Sequence, residues 1–583
     1  MKNFLYNLLI LLIFTSPGFG QHGKRNANPQ EKNIISIDEK TGNIMYHPYK
    51  DKGDIIPDFS YSGYKGGGVK ITFPKVVKIL IPLPGDNTKS IQAALDSIGQ
   101  LKADENGMRG ALLLMPGEYK LSESLTIRYS GVSLMGKAAD ARKTILVATS
   151  PKQYTLIKIG ETERMKIDNN SKRKVVADYV PSGTKKISID DASCFKVGDA
   201  IVVERPSTAS WISFIGMDRI EENWRPVNEL KPAQLSVYQR NGKISADRKK
   251  YSTTVQWEPG SKNLLFERKI TAINKNTITI DIPLTNALQK EFGGGLVYKY
   301  SYIKRLSNVG VGNLSATSLF NADVVAKDKD GDTYLADEEH GWTCLEFVNA
   351  ENSWVDNVES KVFSFGFVCG SKSRFVTIQN CSFLDPVSLI AGGRRYAYSI
   401  SGQQCLVYKC YARNGRHDFV MGAVVAGPNV FLDSKAELCH ANSEPHQRWA
   451  TGTLFDNCSV SGPDAGFSLS NRGAFGSGHG WSGAQMVLWN CFTPLAVVMK
   501  PPTAQNFSFG TVSLTDKWST DVSIQQRVDK LNKVSNNNFK YNGLPTVGDG
   551  FIFSTGAPVI PKSLYFQQLK DRLIKEELIE MLK

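Results

Sequence analysis

Four of the seven histidines fall between residues 417 and 479, among arginines and carboxylates. Histidine can accept or donate a proton near neutral pH, so His417 and His446 are candidates for general base and general acid. Asp418 follows His417 directly and could orient its imidazole, although the pair could equally be structural. Arg416 and Arg448 could hold an anionic group through charge-assisted hydrogen bonds. We predict that these five residues form the catalytic set.

A second set of polar and aromatic residues lies near these five and is predicted to bind the substrate. Trp449 offers a flat face suited to a sugar ring, whereas the arginines could be solvated turn residues and Glu444 could cap a turn. The predicted binding residues are Arg394, Arg395, Tyr396, Glu444, Trp449, His479, Trp481 and Lys500.

These residue types match the needs of a polysaccharide lyase acting on uronic acid. Such an enzyme must neutralise a carboxylate, remove the neighbouring proton and protonate the departing oxygen. The 70 Lys and Arg against 56 Asp and Glu give a net charge of +14, which suits an acidic glycan. The chain contains no Lys/Arg run typical of a nucleic-acid-binding tail. We therefore predict β-elimination of an acidic polysaccharide.

Two other functions remain open at this stage. A glycoside hydrolase needs two carboxylates about 5 to 9.5 Å apart. The carboxylates that could form such a pair are Asp418, Glu444, Asp456 and Asp464. A glycan-binding β-helix without catalysis would need only the groove and its aromatic residues.

One acidic segment could hold a metal ion. Asp328, Asp330 and Asp332 have a spacing that can wrap Ca²⁺ with oxygen ligands, although the glycine is misplaced for an EF-hand loop. Calcium is the cofactor expected if this site is real. An acidic hairpin tip without an ion is the alternative, and no other cofactor is predicted.

The elements that would position these residues repeat along the chain. Seven short strand-like segments end at Leu314, Val358, Cys381, Cys410, Lys435, Cys458 and Cys491. Successive ends are 44, 23, 29, 25, 23 and 33 residues apart. This spacing predicts an all-β, single-stranded parallel β-helix, in which each coil stacks on the previous one. The four aligned cysteines should then form a buried inward stack.

The start of the repeat carries a family resemblance. Residues 85–88 (GDNT), the amphipathic segment 90–99 and the strand-like segments 111–119 and 124–136 resemble the beginning of a pectate-lyase-superfamily right-handed β-helix. This superfamily includes lyases, hydrolases, epimerases and phage tailspikes. The resemblance implies a helix over 90–99 that covers the open end of the β-helix. Asn87, Thr88 or Ser90 is expected to cap that helix.

The remaining segments complete the predicted organisation. Residues 151–303 form a β-rich insertion, with turns at 198–199 and 274–276 and a long loop over the groove at 211–251. The other predicted parts are a lead-in at 21–82, the first coils at 83–150, the site-bearing coils at 304–500 and a C-terminal extension at 501–583 with a terminal helix.

The first residues predict export. A short basic start is followed by apolar residues 4–15, which are too few to span a bilayer, and small residues then precede residue 21. We predict a cleaved signal peptide over 1–20 and a secreted or periplasmic monomer without a membrane span.

Overall fold

The computed structural model describes residues 34–137 and 143–573. The predicted signal peptide at 1–20 lies outside the described residues, and so do residues 574–583 of the predicted terminal helix. None of the helices within the described ranges has the length and apolar character that crossing a membrane requires.

The fold is an all-β, right-handed parallel β-helix, as the sequence predicted. Each coil contributes strands to parallel ladders on different faces, because short segments rich in β-branched and aromatic residues alternate with turns. The first ladder contains Val76–Leu80, Gly110–Leu114, Val132–Gly136, Gly310–Ser318, Ala350–Lys361, Arg374–Gln379, Leu406–Tyr408, Ala426–Leu432, Ala450–Asp456, Val487–Trp489, Phe507–Phe509 and Phe551–Phe553.

Two further ladders complete the coils. The second ladder contains Gly117–Leu121, Thr144–Ala148, Ser382–Leu384, Tyr411–Arg413, Lys435–Glu437, Ser459–Val460, Phe492–Thr493 and Val512–Ser513, together with the second halves of the two longest strands of the first ladder. The third ladder contains Leu125–Ile127, Thr155–Ile159, Thr343–Phe347, Phe365–Cys369, Tyr396–Ile400, His417–Met421 and Glu444–Pro445, and Phe467–Leu469, Ala496–Val498 and Thr546–Val547 follow on the same side. Most of the predicted site residues fall in or beside the third ladder.

The register of the ladders agrees with the predicted alignment except in one coil. Leu384 pairs with Arg413 and Ser459 pairs with Phe492, which brings Cys381 level with Cys410 and Cys458 level with Cys491. All four cysteines are buried and free. The predicted position of Lys435 is wrong by one residue.

Ser434 occupies the stack position assigned to Lys435. Tyr411 pairs with Lys435, so Cys410 lies beside Ser434 and its backbone N–H bonds to the Ser434 hydroxyl at 3.1 Å. A one-residue shift reverses the face of every side chain, and it leaves Lys435 exposed and Ser434 buried.

The helix Thr88–Gly99 packs on the first coils. Its buried apolar face consists of Ile91, Ala94, Leu95 and Ile98, which belong to the main core. The predicted cap is different in detail. Asn87 makes no side-chain capping bond, and the carboxylate of Asp86 instead accepts the Thr88 N–H at 3.0 Å.

The insertion is an antiparallel sheet with its own core. Its main strands are Lys186–Ser188, Ala200–Arg205, Leu264–Asn274, Thr277–Ile280 and Leu296–Ser301, and its helices are Ala209–Phe214 and Pro232–Arg240. A smaller hairpin joins Trp224–Pro226 to Lys250–Ser252. Thr155–Ile159 pairs with Thr343–Phe347 in the third ladder, so the insertion starts after residue 159 rather than at 151. Trp211 is buried in the insertion core. The start of the predicted loop at 211–251 therefore packs inside the insertion instead of lying over the groove.

The coils also continue past their predicted end at residue 500. Phe507–Phe509 and Phe551–Phe553 pair in register as further coils of the first ladder. The helices Asp521–Ser535 and Leu564–Arg572 follow in this part of the chain. The first of these lies beside the third ladder, where Arg527 contacts Asn442 and helps to form a pocket.

Candidate active site

A pocket of about 800 Å³ opens beside the third ladder. Its walls come from three consecutive coils, from the loop at 468–479 and from the helix Asp521–Ser535. Seven of the predicted site residues line it: Tyr396, Arg416, His417, Glu444, His446, Arg448 and His479. The folded chain therefore brings together residues that lie far apart in the sequence and that the alignment of the repeated segments had placed on neighbouring coils.

The parallel ladder positions the central side chains. Tyr396 pairs directly with His417 on the next strand, and their rings lie 5.2 Å apart. Glu444 pairs with Val420 one coil later, and His446 follows the short strand Glu444–Pro445. The rings of His417 and His446 are 4.7 Å apart. Three neighbouring coils thus place a phenol, two imidazoles and a carboxylate in one cluster.

Glu444 is the centre of this cluster. Its Oε1 lies 3.2 Å from Nδ1 of His417 and 3.3 Å from Nδ1 of His446. Nη1 of Arg472 approaches the same oxygen to 2.6 Å, while donating to the His446 carbonyl oxygen at 2.6 Å. Burial raises the pKa of Glu444 to about 7, although Arg472 and Arg416 oppose the shift. One carboxylate oxygen therefore lies within 3.3 Å of both imidazoles and one guanidinium.

The two histidines and the carboxylate could in principle hold a metal ion. Among the described residues, His417, Glu444 and His446 form the one group of three whose ligand atoms lie within 4.8 Å of one another. Arg472 already supplies a cation here, since its Nη1 lies 3.0 Å from Nδ1 of His446 as well as 2.6 Å from the carboxylate. Further positive charges on Arg416 and Arg448 oppose a divalent ion. The geometry fits a guanidinium better than a metal.

The histidines around the pocket are held neutral. Burial lowers the pKa of His446 to about 2, helped by the positive charges of Arg472 and Arg416. Burial and Arg472 likewise lower the pKa of His479 to about 2, and burial lowers the pKa of His417 well below its usual range. A neutral imidazole has a ring nitrogen that can accept a proton, but a pKa lowered this far makes it a weak base near neutral pH.

Tyr396 and His446 present neighbouring polar atoms to the pocket. The Tyr396 hydroxyl lies 3.3 Å from Nε2 of His446, so one proton can be held or passed between them. His417 is only 1% exposed, and its Nδ1 lies 2.7 Å from the Asn442 carbonyl oxygen. Its ring nevertheless borders the pocket. His417 is less accessible than His446, whose side chain is 14% exposed, and its direct catalytic role stays a prediction.

The pocket is strongly positive. The cations in its lining are Arg225, Arg416, Arg448, Arg472, Arg527 and Lys530, whereas the carboxylates are Glu444 and Asp464. Arg448 donates to the hydroxyl of Ser477 at 2.7 Å, and Asp464 pairs with Lys329 at 3.3 Å. The excess of guanidinium groups suits a ligand that carries carboxylate or sulfate groups.

Three predicted residues have structural roles outside the pocket lining. Arg394 forms a bidentate ion pair with Glu338. Arg395 is buried and donates to the Ser388 carbonyl oxygen at 2.7 Å. Asp418 points away from His417, because successive side chains of a strand face opposite ways, and it is fully buried.

The predicted aromatic platform is also wrong. Trp449 is buried beneath the insertion, where its Nε1 donates to Asn286 Oδ1 at 3.0 Å. Trp481 and Lys500 lie outside the pocket lining as well. Phe475 is the phenyl ring that lines the pocket. Sequence reasoning missed Phe475 because it belongs to a loop outside the repeat.

The acidic segment at 328–332 forms a hairpin tip. Asp328 lies between the strands Val325–Lys327 and Thr333–Leu335, and its Oδ1 accepts the N–H groups of Asp330 and Asp332 at 2.9 Å each. The three carboxylates are absent from the converging ligand groups among the described residues. The calcium prediction is not supported by this geometry.

Several pocket residues were not predicted from the sequence. Arg472 and His440 belong to coils that the repeat had identified, so their position beside His446 and Asn442 could have been inferred. Arg527 and Lys530 come from the helix Asp521–Ser535, and Arg225 comes from the insertion. Those three lie outside the repeat that guided the prediction.

No family model and no curated protein matches the sequence. Among solved structures, the chain is similar to the tailspike protein gp49 of Pseudomonas phage LKA1, with 12% identity, a TM-score of 0.35 and coverage of 74% of this chain and 56% of that one. It is also similar to the tailspike of E. coli bacteriophage HK620, solved with a pentasaccharide (8% identity, TM-score 0.34, coverage 82% and 61%). A third structure is a glycoside hydrolase (9% identity, TM-score 0.24, coverage 76% and 94%).

The chain spans 56% and 61% of the length of these two tailspike chains. The resemblance of its first coils to the pectate-lyase superfamily stays a prediction, because no family model matches it.

Proposed function

We propose that the protein is a polysaccharide lyase that cleaves an acidic, uronate-containing glycan by β-elimination. The observation that carries this proposal is the Tyr396 hydroxyl beside Nε2 of His446, 3.3 Å apart, in a pocket rich in guanidinium groups. Proton transfer and carboxylate neutralisation are the two requirements of the reaction, and both groups of residues meet in this pocket.

The proton transfers fall to Tyr396 and His446. The C–H bond next to the uronate carboxylate breaks, and its electron pair forms a C=C bond as the glycosidic C–O bond breaks. One member of the pair takes the proton and the other protonates the departing oxygen. His446 is neutral, so its Nε2 can exchange a proton with the Tyr396 hydroxyl beside it.

The arginines stabilise the negative charge that develops on the substrate. Arg416, Arg448 and Arg472 all line the pocket near the histidines, and Arg416 also reaches the carbonyl oxygen of Gly392 at 2.5 Å. Guanidinium groups bind carboxylates in bidentate fashion, and charge that grows during proton removal strengthens those contacts. His417 and Glu444 hold His446 in place behind them.

A glycoside hydrolase is the second candidate. It is favoured by the raised pKa of Glu444, which would let this group donate a proton near neutral pH. The pairing of carboxylates is the weaker part of this alternative. Asp418 is buried in the core, Asp456 accepts from Ser563 and the backbone of Tyr565, and Asp464 is paired with Lys329.

Product analysis separates these candidates. The purified protein is incubated with a panel of acidic and neutral polysaccharides. A lyase should generate the ultraviolet absorbance of an unsaturated uronate from an acidic member of the panel. New reducing ends without that absorbance would replace the lyase with the hydrolase, and binding without any cleavage would indicate a glycan-binding protein.

The compartment in which the protein acts depends on the predicted signal peptide. An exported protein would meet its polymer in the periplasm or outside the cell, which agrees with a polysaccharide too large to enter. Detection of the mature chain beginning near residue 21 in the periplasmic or culture fraction tests this part of the proposal.

A further inference from the structure

Arg205 is a buried arginine without a hydrogen-bond partner. It ends the strand Ala200–Arg205 of the insertion and is 2% exposed. Its Nε, Nη1 and Nη2 atoms all lack an acceptor. Burial alone lowers its pKa to about 9, so no carboxylate compensates its charge. An uncompensated guanidinium in a protein interior is costly, which points to a missing acceptor.

Two other buried arginines have hydrogen-bond acceptors for their guanidinium groups. Arg268 donates to the carbonyl oxygens of Ile282, Pro283 and Gly427 at 2.9 to 3.0 Å. Arg395 donates to the Ser388 carbonyl oxygen, as described above. Nε of Arg305 also lacks an acceptor, but both of its Nη atoms pair with Glu267, so within residues 34–137 and 143–573 Arg205 is the buried arginine whose three guanidinium nitrogens are all unpaired.

The surroundings of Arg205 supply donors and aromatic faces. Its guanidinium carbon lies 4.2 Å from the ring centroid of Trp211, a cation–π contact that covers one face and leaves the N–H edge unpaired. Nε1 of Trp257 is also buried without a partner, and this ring lies 6.1 Å from Trp211. Nε1 of Trp211 is already bound to Thr503 at 3.2 Å. The unpaired groups here are N–H donors, and an anion is the ligand that accepts from donors alone.

We infer that the interior beside Arg205 binds a small inorganic anion, of the size of chloride or bromide. Trp211 packs edge-on against Trp449 at 4.9 Å, so this anion would lie where the insertion meets the coil that carries Arg448. Its role is to compensate a buried charge and to hold the insertion against the β-helix. The inference does not depend on the proposed enzymatic activity.

Anomalous diffraction tests the site directly. Crystals of the full chain, prepared in sodium bromide, should give a bromine peak within hydrogen-bonding distance of the Arg205 nitrogens. Ordered water alone at those nitrogens would overturn the inference. This measurement uses the unaltered protein, so it does not rely on the folding of any variant.

Thermal unfolding provides the second test. The melting temperature should be higher in chloride or bromide than in gluconate of equal ionic strength, because gluconate is too large for an enclosed site. Arg205→Met should lose this halide-dependent rise. Arg268→Met is the matched control, since it removes a compensated buried arginine and should keep the rise. An equal halide response in the wild type and in Arg205→Met would contradict the inference.

Discussion

The carboxylate of Glu444 and the guanidinium of Arg472 meet at 2.6 Å in the floor of the pocket. Glu444 is 1% exposed, so this contact lies in a medium of low effective dielectric constant. Removing one member of such a pair leaves a buried charge unpaired, which typically costs about 3–5 kcal/mol. A variant at either position would lose stability, so a loss of activity could not be assigned to the chemistry. The tests below therefore change groups that face the substrate.

The first prediction concerns the proton-transferring pair. Tyr396→Phe removes only the hydroxyl, and His446→Ala removes the imidazole whose Nε2 lies 3.3 Å from it. General acid–base catalysis contributes about 10²–10⁴-fold in rate, so each variant should lose turnover in that range. Turnover is measured on the polysaccharide that the wild type cleaves.

The matched control for this prediction is Tyr408→Phe. Tyr408 lies in the first ladder, away from the pocket lining, and should keep wild-type turnover. Circular dichroism should show an intact fold in all three variants. Near-normal turnover in both Tyr396→Phe and His446→Ala would remove this pair from the mechanism.

The second prediction concerns Arg448, which the sequence assigned to the catalytic set, and Arg394, which it assigned to the substrate-binding set. Arg448→Ala should raise KM for an acidic substrate, because Arg448 lines the pocket and can hold an anionic group. Arg394→Ala should leave KM unchanged, since Arg394 pairs with Glu338 outside the lining. Steady-state kinetics at low and moderate salt measures both. Equal KM values for the two variants would contradict the placement of the substrate beside Arg448.

The β-helix and much of its register could be predicted from the sequence, because the ladder repeats its pattern at every coil. Cys381, Cys410, Cys458 and Cys491 recur at one position, and a buried small side chain is what that position requires. The alignment placed Lys435 where Ser434 belongs, because the turn before it contains no repeated residue by which this segment could be aligned with the others. One residue is enough to exchange an inward and an outward side chain.

The candidate site was harder to predict than the fold. The position of a residue along a coil indicates which segments lie side by side on neighbouring coils. It does not indicate whether the side chain faces the core or the pocket. His417 and Asp418 are adjacent, yet one reaches the pocket and the other is in the core. Trp449 looked suited to a sugar, but the insertion covers it. Contacts between the insertion and the coils depend on tertiary packing that no local pattern encodes.

The third prediction concerns thiol reactivity. Eight of the nine cysteines are buried, and Cys194 in the insertion is half-buried. Burial raises the pKa of Cys491 to about 12, which suppresses the reactive thiolate. A thiol reagent should therefore modify Cys194 first under native conditions and the aligned cysteines only after unfolding. Mass spectrometry of labelled peptides gives the order, and rapid native labelling of Cys381, Cys410, Cys458 and Cys491 would contradict the register.

The fourth prediction concerns the pH dependence of stability. Asp418 is fully buried beside the thiol of Cys439, which is a weak hydrogen-bond partner, and burial raises its pKa from 3.8 to about 7. Between these two pH values the folded protein keeps a proton that the unfolded chain has lost. The free energy of unfolding should therefore fall as the pH rises through this window, and the loss should be complete above about pH 7.

Asp418→Asn isolates this contribution, because the amide has nearly the same shape and never ionises. Relative to the wild type, the variant should gain stability as the pH rises from 4 to 8, by at most about 4 kcal/mol. Urea unfolding at both pH values measures the difference. Asp330→Asn is the matched control, since Asp330 lies at an exposed hairpin tip and should change stability equally at both pH values. A pH-independent difference between the wild type and Asp418→Asn would show that Asp418 is already ionised in the folded protein and that its surroundings stabilise the carboxylate more strongly than the Cys439 thiol can.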